Sequence, residues 1–412
     1  IEFEYSAEPK IDGISASLTY KSGKLIRGLS RGNGEEGEDI TLNLKTISDI
    51  PHYVDQKDFP SDIDIRGEVF IQNNDFEKIK DSFRVLDAGS RLVPEPNSAY
   101  DPEKIDQTHW VMAVKELLRQ QKLNPRKIKM LTTGINGSLA SIKQITTMEM
   151  PSTELESAMT FEARKHIPMD GTDAVIDYQI LGSNKQEVDK IDVGLVACTK
   201  GVLNNHMALI KDCGLKAGIV DVNPIALSNA FTFVKNMPDD GLVVMLDIGA
   251  VSSSLVVYGK GQQFFTRDLP IGGHHFVKEL STKKDMSYIE SQDLLYKEGL
   301  SATKNKDSVN DITNSVGIAE KTVYDNLLED MRRSLRFYAK QTGQSFFLKI
   351  FLSGGGASTP GLVEFVHQKL NIECAVFDPF ENLEGKEKLS ISNPSQFTTA
   401  LGLGIRGGMT SE

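Results

Sequence analysis

The chain has 412 residues, 39% of them hydrophobic and 25% charged, enough for roughly two to four domains with their own cores and too apolar for a wholly disordered polymer. Forty-six basic against 57 acidic residues give a net charge of −11, which offers no general attraction to DNA, RNA or anionic lipid, so nucleic acid is not expected as a partner. Cys198, Cys213 and Cys374 are too few and too widely spaced for a disulfide framework or a thiolate metal cluster. No run reaches the ~20 apolar residues of a bilayer span and no basic leader precedes one, so a cytoplasmic location is expected, although the chain opens at Ile1 rather than methionine, as a sequence with its start missing would.

From Ile14 to Leu29 the alternation in ISASLTYKSGKLIRGL predicts two strands about the turn Lys21-Ser22-Gly23-Lys24, where glycine relieves the steric cost of a positive φ. A polar loop follows, Ile63 to Ile71 is again extended, and a short helix is expected near Asp75 to Ile79. Pro94, Pro96 and Pro102 then disfavour continuous structure, marking residues 81–103 as a junction or linker. Beyond it Ile105 to Gln121 has helical spacing, IKMLTTG reads as a strand, and LESAMTFEARKHI after Pro151 as a helix with Ser152 or Thr153 as cap. Strands recur at Ile191 to Ala197, Gly218 to Val222, Val243 to Ile248, Ser253 to Tyr258 and Lys349 to Ser353, separated by helical segments, an α/β pattern. The lysine-rich stretch from Ser301 to Asn310 reads as an exposed loop or small helical insertion.

Glu8-Pro9-Lys10-Ile11-Asp12-Gly13 sets a lysine between two carboxylates just before the hairpin, where its amine can meet a nucleotide phosphate if the surroundings favour the neutral form. SRGNGEEGEDIT from Ser30, TISDIP from Thr46 and DIRGEVF from Asp64 follow in order, and together these strings resemble the first part of the adenylation domain of NAD-dependent DNA ligase. The resemblance implies a partial, β-rich nucleotidyltransferase segment over residues 1–80. In it Lys10 attacks the α-phosphate of NAD and becomes AMP-linked, Glu8 recognises adenine, Arg31 binds the nucleotide and Glu68 contacts its ribose. Asn33 stands where that family has aspartate, and the family's later nucleotide-binding, DNA-binding and zinc motifs do not follow Ile79. Ligation is therefore not expected, and self-adenylation of Lys10 is the alternative function.

Asp247-Ile248-Gly249-Ala250 lies between the apolar runs Leu242 to Leu246 and Leu255 to Tyr258. Gly249 can open the turn and present backbone N–H groups to a phosphate, and Asp247 can hold a magnesium-bound water; an ordinary strand turn reads from the same residues. Ser353-Gly354-Gly355-Gly356-Ala357 follows LKIFL and precedes a helix beyond Pro360, a junction that admits a nucleotide closely. The spacing of the two motifs suits two separated sides of a cleft. Glu329 and Arg333 share a helical face, either towards the purine and ribose or as an exposed ion pair. His274 and His275 can cap or face a helix but do not project together as a metal pair.

Together with MPSTELESAMTFEARKHIPM from Met150, VIDYQILG from Val175, CGLKAGIVDVNPIALSNA from Cys213, RDLPIGG from Arg267, EDMRRSLRFY from Glu329 and TTALGLGIRG from Thr398, these motifs resemble the PilM family of type IV pilus assembly over residues 104–408. The resemblance implies an α/β, actin-like (FtsA/PilM-type) fold with a smaller inserted domain around 137–205 and a tail at 409–412. It implies ATP and Mg2+ in a cleft, with Asp247, Gly249 and Ala250 at the phosphates and Gly354, Gly355 and Gly356 at the adenosine. It also implies binding of the N-terminal cytoplasmic segment of PilN, recruitment by PilN to the inner membrane, and self-association as in other actin-like folds. The family's usual opening, a strand, a DIG-like phosphate loop and a second strand, is replaced here by the ligase-like segment, so a narrower central sheet and weaker Mg-ATP binding are expected.

Overall fold

The computed structural model describes residues 14–30, 39–47, 49–55, 59–69, 83–93, 105–150, 152–166, 173–184, 187, 189–303 and 321–409. Glu8, Lys10, Arg31, the helix expected at Asp75 to Ile79 and residues 304–310 lie outside them. Two compact units emerge, residues 1–82 with 145–171 and 176–195, and residues 83–144 with 172–175 and 196–412.

In the first unit β1 (Ile14–Lys21), β2 (Lys24–Ser30) and β3 (Asp62–Val69) form an antiparallel sheet in the order β2-β1-β3. The β1–β2 turn has φ 48° at Ser22 and 75° at Gly23, the paired positive values that match the twist of a hairpin. A Cβ on Gly23 would fall 2.3 Å from the Val54 carbonyl oxygen, so the site also excludes larger residues by contact. Tyr20 is buried, donates its hydroxyl to the Pro51 carbonyl at 2.8 Å and meets the Phe59 ring edge-on. A short helix, Thr41–Leu44, has no counterpart among the sequence expectations; Thr41 Oγ1 accepts from the Gly28 N–H at 2.8 Å, tying the helix to β2.

Further along the chain come β4 (Thr132–Ile135), β5 (Ala140–Met148), β6 (Ala174–Ser183), β7 (Lys190–Thr199) and β8 (Ile219–Val222). β5, β7 and β6 form one sheet in that order, with the expected helix, Ser152–His166, between β5 and β6 in sequence. β4 and β8 pair in parallel as a sheet only two strands wide among the described residues. The helix Gln107–Gln120 lies within the expected span from Ile105 to Gln121 and begins at a capping box in which Asp106 accepts from the His109 N–H.

The largest sheet contains β9 (Leu242–Ile248), β10 (Ser253–Tyr258), β11 (Phe265–Leu269), β12 (Phe347–Ser353) and β13 (Glu373–Val376), in the order β11-β10-β9-β12-β13. β9 is its centre, parallel to β12 and antiparallel to β10. Leu242, Val244, Leu246 and Ile248 enter a core with the helices Gly273–Lys284, Val323–Thr342 and Leu362–Leu370. Val243 and Met245 enter a second core with the helix Asn223–Val234 and with Ile405 of the helix Thr398–Met409. Helices on both faces explain why β9 is apolar from Leu242 to Leu246 without alternation.

Part of the stretch expected to be a linker is packed. Val85 donates its N–H to the Glu384 carbonyl at 3.0 Å and the Phe83 ring lies edge-on to Phe233 at 5.1 Å, so this apolar segment is held by the second unit. No helix among the described residues is long and apolar enough to cross a membrane.

Candidate functional site

The two glycine motifs of the second unit leave the same end of adjacent strands. Asp247 and Ser353 are register partners on β9 and β12. The expectation of two separated sides is therefore corrected: parallel pairing brings the motifs side by side, although they are far apart in sequence. A Cβ on Gly354 would lie 2.5 Å from the Ile248 carbonyl oxygen and one on Gly356 would lie 2.4 Å from Ile248 Cγ2. Gly354 also has φ 81°, a conformation open to glycine and strained for other residues. Gly355 is exposed, and a Cβ there would meet nothing within 4 Å. Two glycines thus seat the loop on β9, while the middle one presents bare backbone to the outside.

The turn after β9 is closed by a helix terminus. Gly273 and His274, the first residues of Gly273–Lys284, donate their N–H groups to the carbonyls of Gly249 at 2.9 Å and Ala250 at 2.8 Å. Those are amides a helix start otherwise leaves without partners. Gly272 makes this approach feasible, since a Cβ there would stand 2.7 Å from the Gly249 carbonyl oxygen. His275 Nδ1 accepts from the Gly272 N–H at 3.1 Å, and His274 stacks on Tyr288 with Nδ1 3.2 Å from its hydroxyl. The histidine pair caps and packs this helix.

A rung of four polar side chains underlies the turns. Ser353, Asp247, Ser254 and Asp268 are successive partners on β12, β9, β10 and β11, so they leave the sheet on one face. The Ser353 hydroxyl lies beside Asp247 and donates to the Ser395 carbonyl at 3.3 Å, and Ser254 Oγ donates to Asp268 Oδ1 at 2.8 Å. Burial pushes the Asp247 carboxyl up to about 6 against the opposing effect of the Ser353 hydroxyl, and burial likewise raises Asp268 against the bond from Ser254. A Cβ on Gly137 would lie 2.9 Å from either Asp268 carboxylate oxygen, so glycine there lets the backbone come close to this acid. Asp268 and Ser254 are not among the sequence candidates, because nothing local announces that RDLPIGG pairs beside Asp247.

The other sequence candidates fall elsewhere. Glu329 pairs with Lys321 at 2.7 Å and Arg333 with Asp330, all on or just before the helix Val323–Thr342. Glu329 and Arg333 therefore each pair with another residue of this region rather than with one another. Lys321 holds the Glu329 carboxyl below its ordinary value. Glu68 lies on β3 opposite Ser15 in register; Glu8, Lys10 and Arg31 lie outside the described residues. No group of three metal-ligating side chains occurs among the described residues. The site therefore offers two half-buried carboxylates, two buried serine hydroxyls and two glycine-bearing turns at the carboxyl ends of parallel strands, a place where open α/β sheets take ligands.

Residues 71–408 match the family model described as type IV pilus assembly protein PilM, and residues 1–93 match that of the NAD-dependent DNA ligase adenylation domain. The DNA ligase of Pelagibacter ubique (strain HTCC1062) is 74% identical over 96 residues, 23% of this chain and 14% of that protein. The DNA ligase of Campylobacter lari (strain RM2100 / D67 / ATCC BAA-1060) is 58% identical over 98 residues, 24% of this chain and 14% of that protein. The chain thus spans about one-seventh of the length of these curated relatives. A solved PilM-PilN type IV pilus biogenesis complex has a chain of similar fold, with TM-score 0.62, 21% identity, and coverage of 76% of this chain and 90% of that one.

Proposed function

Because the chain belongs, through residues 71–408, to the type IV pilus assembly protein PilM family, we propose that it is a cytoplasmic pilus-assembly scaffold that binds Mg-ATP beside Asp247 and is held at the inner membrane by the N-terminal cytoplasmic segment of PilN. The observation that carries the nucleotide part is the register of Asp247 with Ser353, which sets the turn after Asp247 beside an open glycine loop. In this reading the Gly249 and Ala250 turn takes the phosphates, and Asp247 holds Mg2+ through water. One protein carboxylate suits that ion, which keeps several waters and takes phosphate oxygens for the rest. Gly354 to Gly356 take the adenosine. PilN as partner rests on family membership and on the fold likeness to a chain solved in a PilM-PilN complex. Self-association of the actin-like region belongs to the same reading.

Titration of the purified chain with Mg-ATP and with the PilN segment tests the two halves separately. Saturable binding of both is expected, and Asp247→Ala should weaken Mg-ATP without touching the peptide. Failure of ATP alone would leave a scaffold without a nucleotide.

The ligase-like segment supports a second reading, carried by its 74% identity to a DNA ligase. Lys10 would take AMP from NAD, with Glu8, Arg31 and Glu68 around the nucleotide. Incubation with NAD, followed by mass spectrometry of the intact chain and of Lys10→Ala, tests it; an unmodified lysine would end that activity.

A further inference from the structure

The exposed glycine loop is held in shape by residues that neither motif contains. Asn393 bridges its two halves: Nδ2 donates to the Gly355 carbonyl at 3.2 Å, while Oδ1 accepts from Ser358 Oγ at 2.7 Å and from Ser395 Oγ at 2.8 Å. The Gly354 N–H donates to the Ser395 carbonyl at 3.0 Å, a carbonyl also reached by Thr398 Oγ1 at 2.8 Å. Ser395, Ser353 and Thr398 are buried. Pro394 opens the short turn Pro394–Phe397 and limits the freedom of the segment that carries the amide. One side chain, Asn393, thus fixes the carbonyl direction at Gly355, the position whose backbone lies open to a ligand, whereas Gly354 and Gly356 are already fixed by Ile248.

We propose that Asn393 is a positioning residue for the nucleoside half of the bound nucleotide, holding the Gly355 peptide in the orientation that receives a purine nucleoside. The proposal rests on the nucleotide reading of this loop. None of its own hydrogen bonds reaches the Gly249 to Ser252 turn, so its direct contacts are confined to the glycine loop and Ser395. Orientation matters here because a peptide free to rotate must be ordered when ligand arrives, which lowers affinity for the part that touches it.

The test uses the full chain and a fluorescent ATP analogue displaced in turn by adenosine, ATP and inorganic pyrophosphate. Asn393→Ala is expected to weaken adenosine and ATP by the same factor, about tenfold for one lost charge-neutral hydrogen-bonded contact, and to leave pyrophosphate unchanged. Ser358→Ala removes only an exposed hydroxyl, so its folding is secure. It should weaken adenosine in the same direction, and the double variant should be no weaker than Asn393→Ala alone. Wild-type protein that binds no adenosine would overturn the nucleotide reading and this inference with it. Adenosine bound alike by wild type and Asn393→Ala would overturn the inference alone. Equal loss of adenosine and pyrophosphate would also overturn it, by showing a merely structural role.

Discussion

Asp247 and Ser353 face one another across adjacent parallel strands, and the serine hydroxyl lies beside the carboxyl, which burial has raised to about 6. The pair joins the starts of the two glycine motifs.

Asp247 makes stability fall as pH rises. Its folded value lies above that of an unfolded carboxyl, so between about pH 4 and 6 the native state binds more protons, and folding weakens up to about pH 6, then levels off. The loss amounts to at most about 3 kcal/mol. Asp247→Asn keeps the side-chain shape beside Ser353 and should flatten this slope and raise the urea midpoint at pH 7, while weakening Mg-ATP. Urea titrations at pH 4.5 and 7 check it; an unchanged slope would contradict the assignment.

The three loop glycines should separate. Gly354→Ala meets both the positive φ and the Ile248 carbonyl, a loss of about 1–3 kcal/mol from backbone strain before any clash. Gly355→Ala enters open space and should shift stability by less than about 0.5 kcal/mol, yet reduce nucleotide affinity. Chemical denaturation alongside nucleotide titration reads both effects.

These positions also show how far the sequence can be read. The run from Leu242 to Ile248 and the glycines after it announce a buried strand and an open turn, because burial on two faces and a missing Cβ both leave local marks. The short helix Thr41–Leu44 leaves none, since its anchor is Thr41 reaching back to Gly28. The roles of Asp268, Ser353 and Asn393 are set by register and loop contacts between residues distant in sequence. In sequence, Asn393-Pro394 carries only a turn signal. Arg333 illustrates the opposite limit, because helical spacing places it correctly on a face while Asp330, three residues away, takes its charge.

Tyr324 offers a test of the core. Its hydroxyl is buried without a hydrogen-bond partner among the described residues, while its ring stacks on Phe276 at 4.1 Å. Tyr324→Phe keeps the stack and removes an unsatisfied polar atom, so it should stabilise the protein by about 1 kcal/mol. A lower melting temperature would mean that the hydroxyl has a partner in solution.

Arg333→Ala should change neither melting temperature nor Mg-ATP affinity measurably, since exposed ion pairs of this kind contribute little. A clear loss of ATP affinity would return this helix face to the nucleotide site.

The scaffold reading is tested most directly by calorimetric titration of the folded, full chain with the N-terminal cytoplasmic segment of PilN, with a scrambled segment as control. Saturable one-site binding to the native sequence alone is the predicted result. Absence of binding both by heat and by fluorescence anisotropy, in protein whose cooperative unfolding shows an intact fold, would contradict the account.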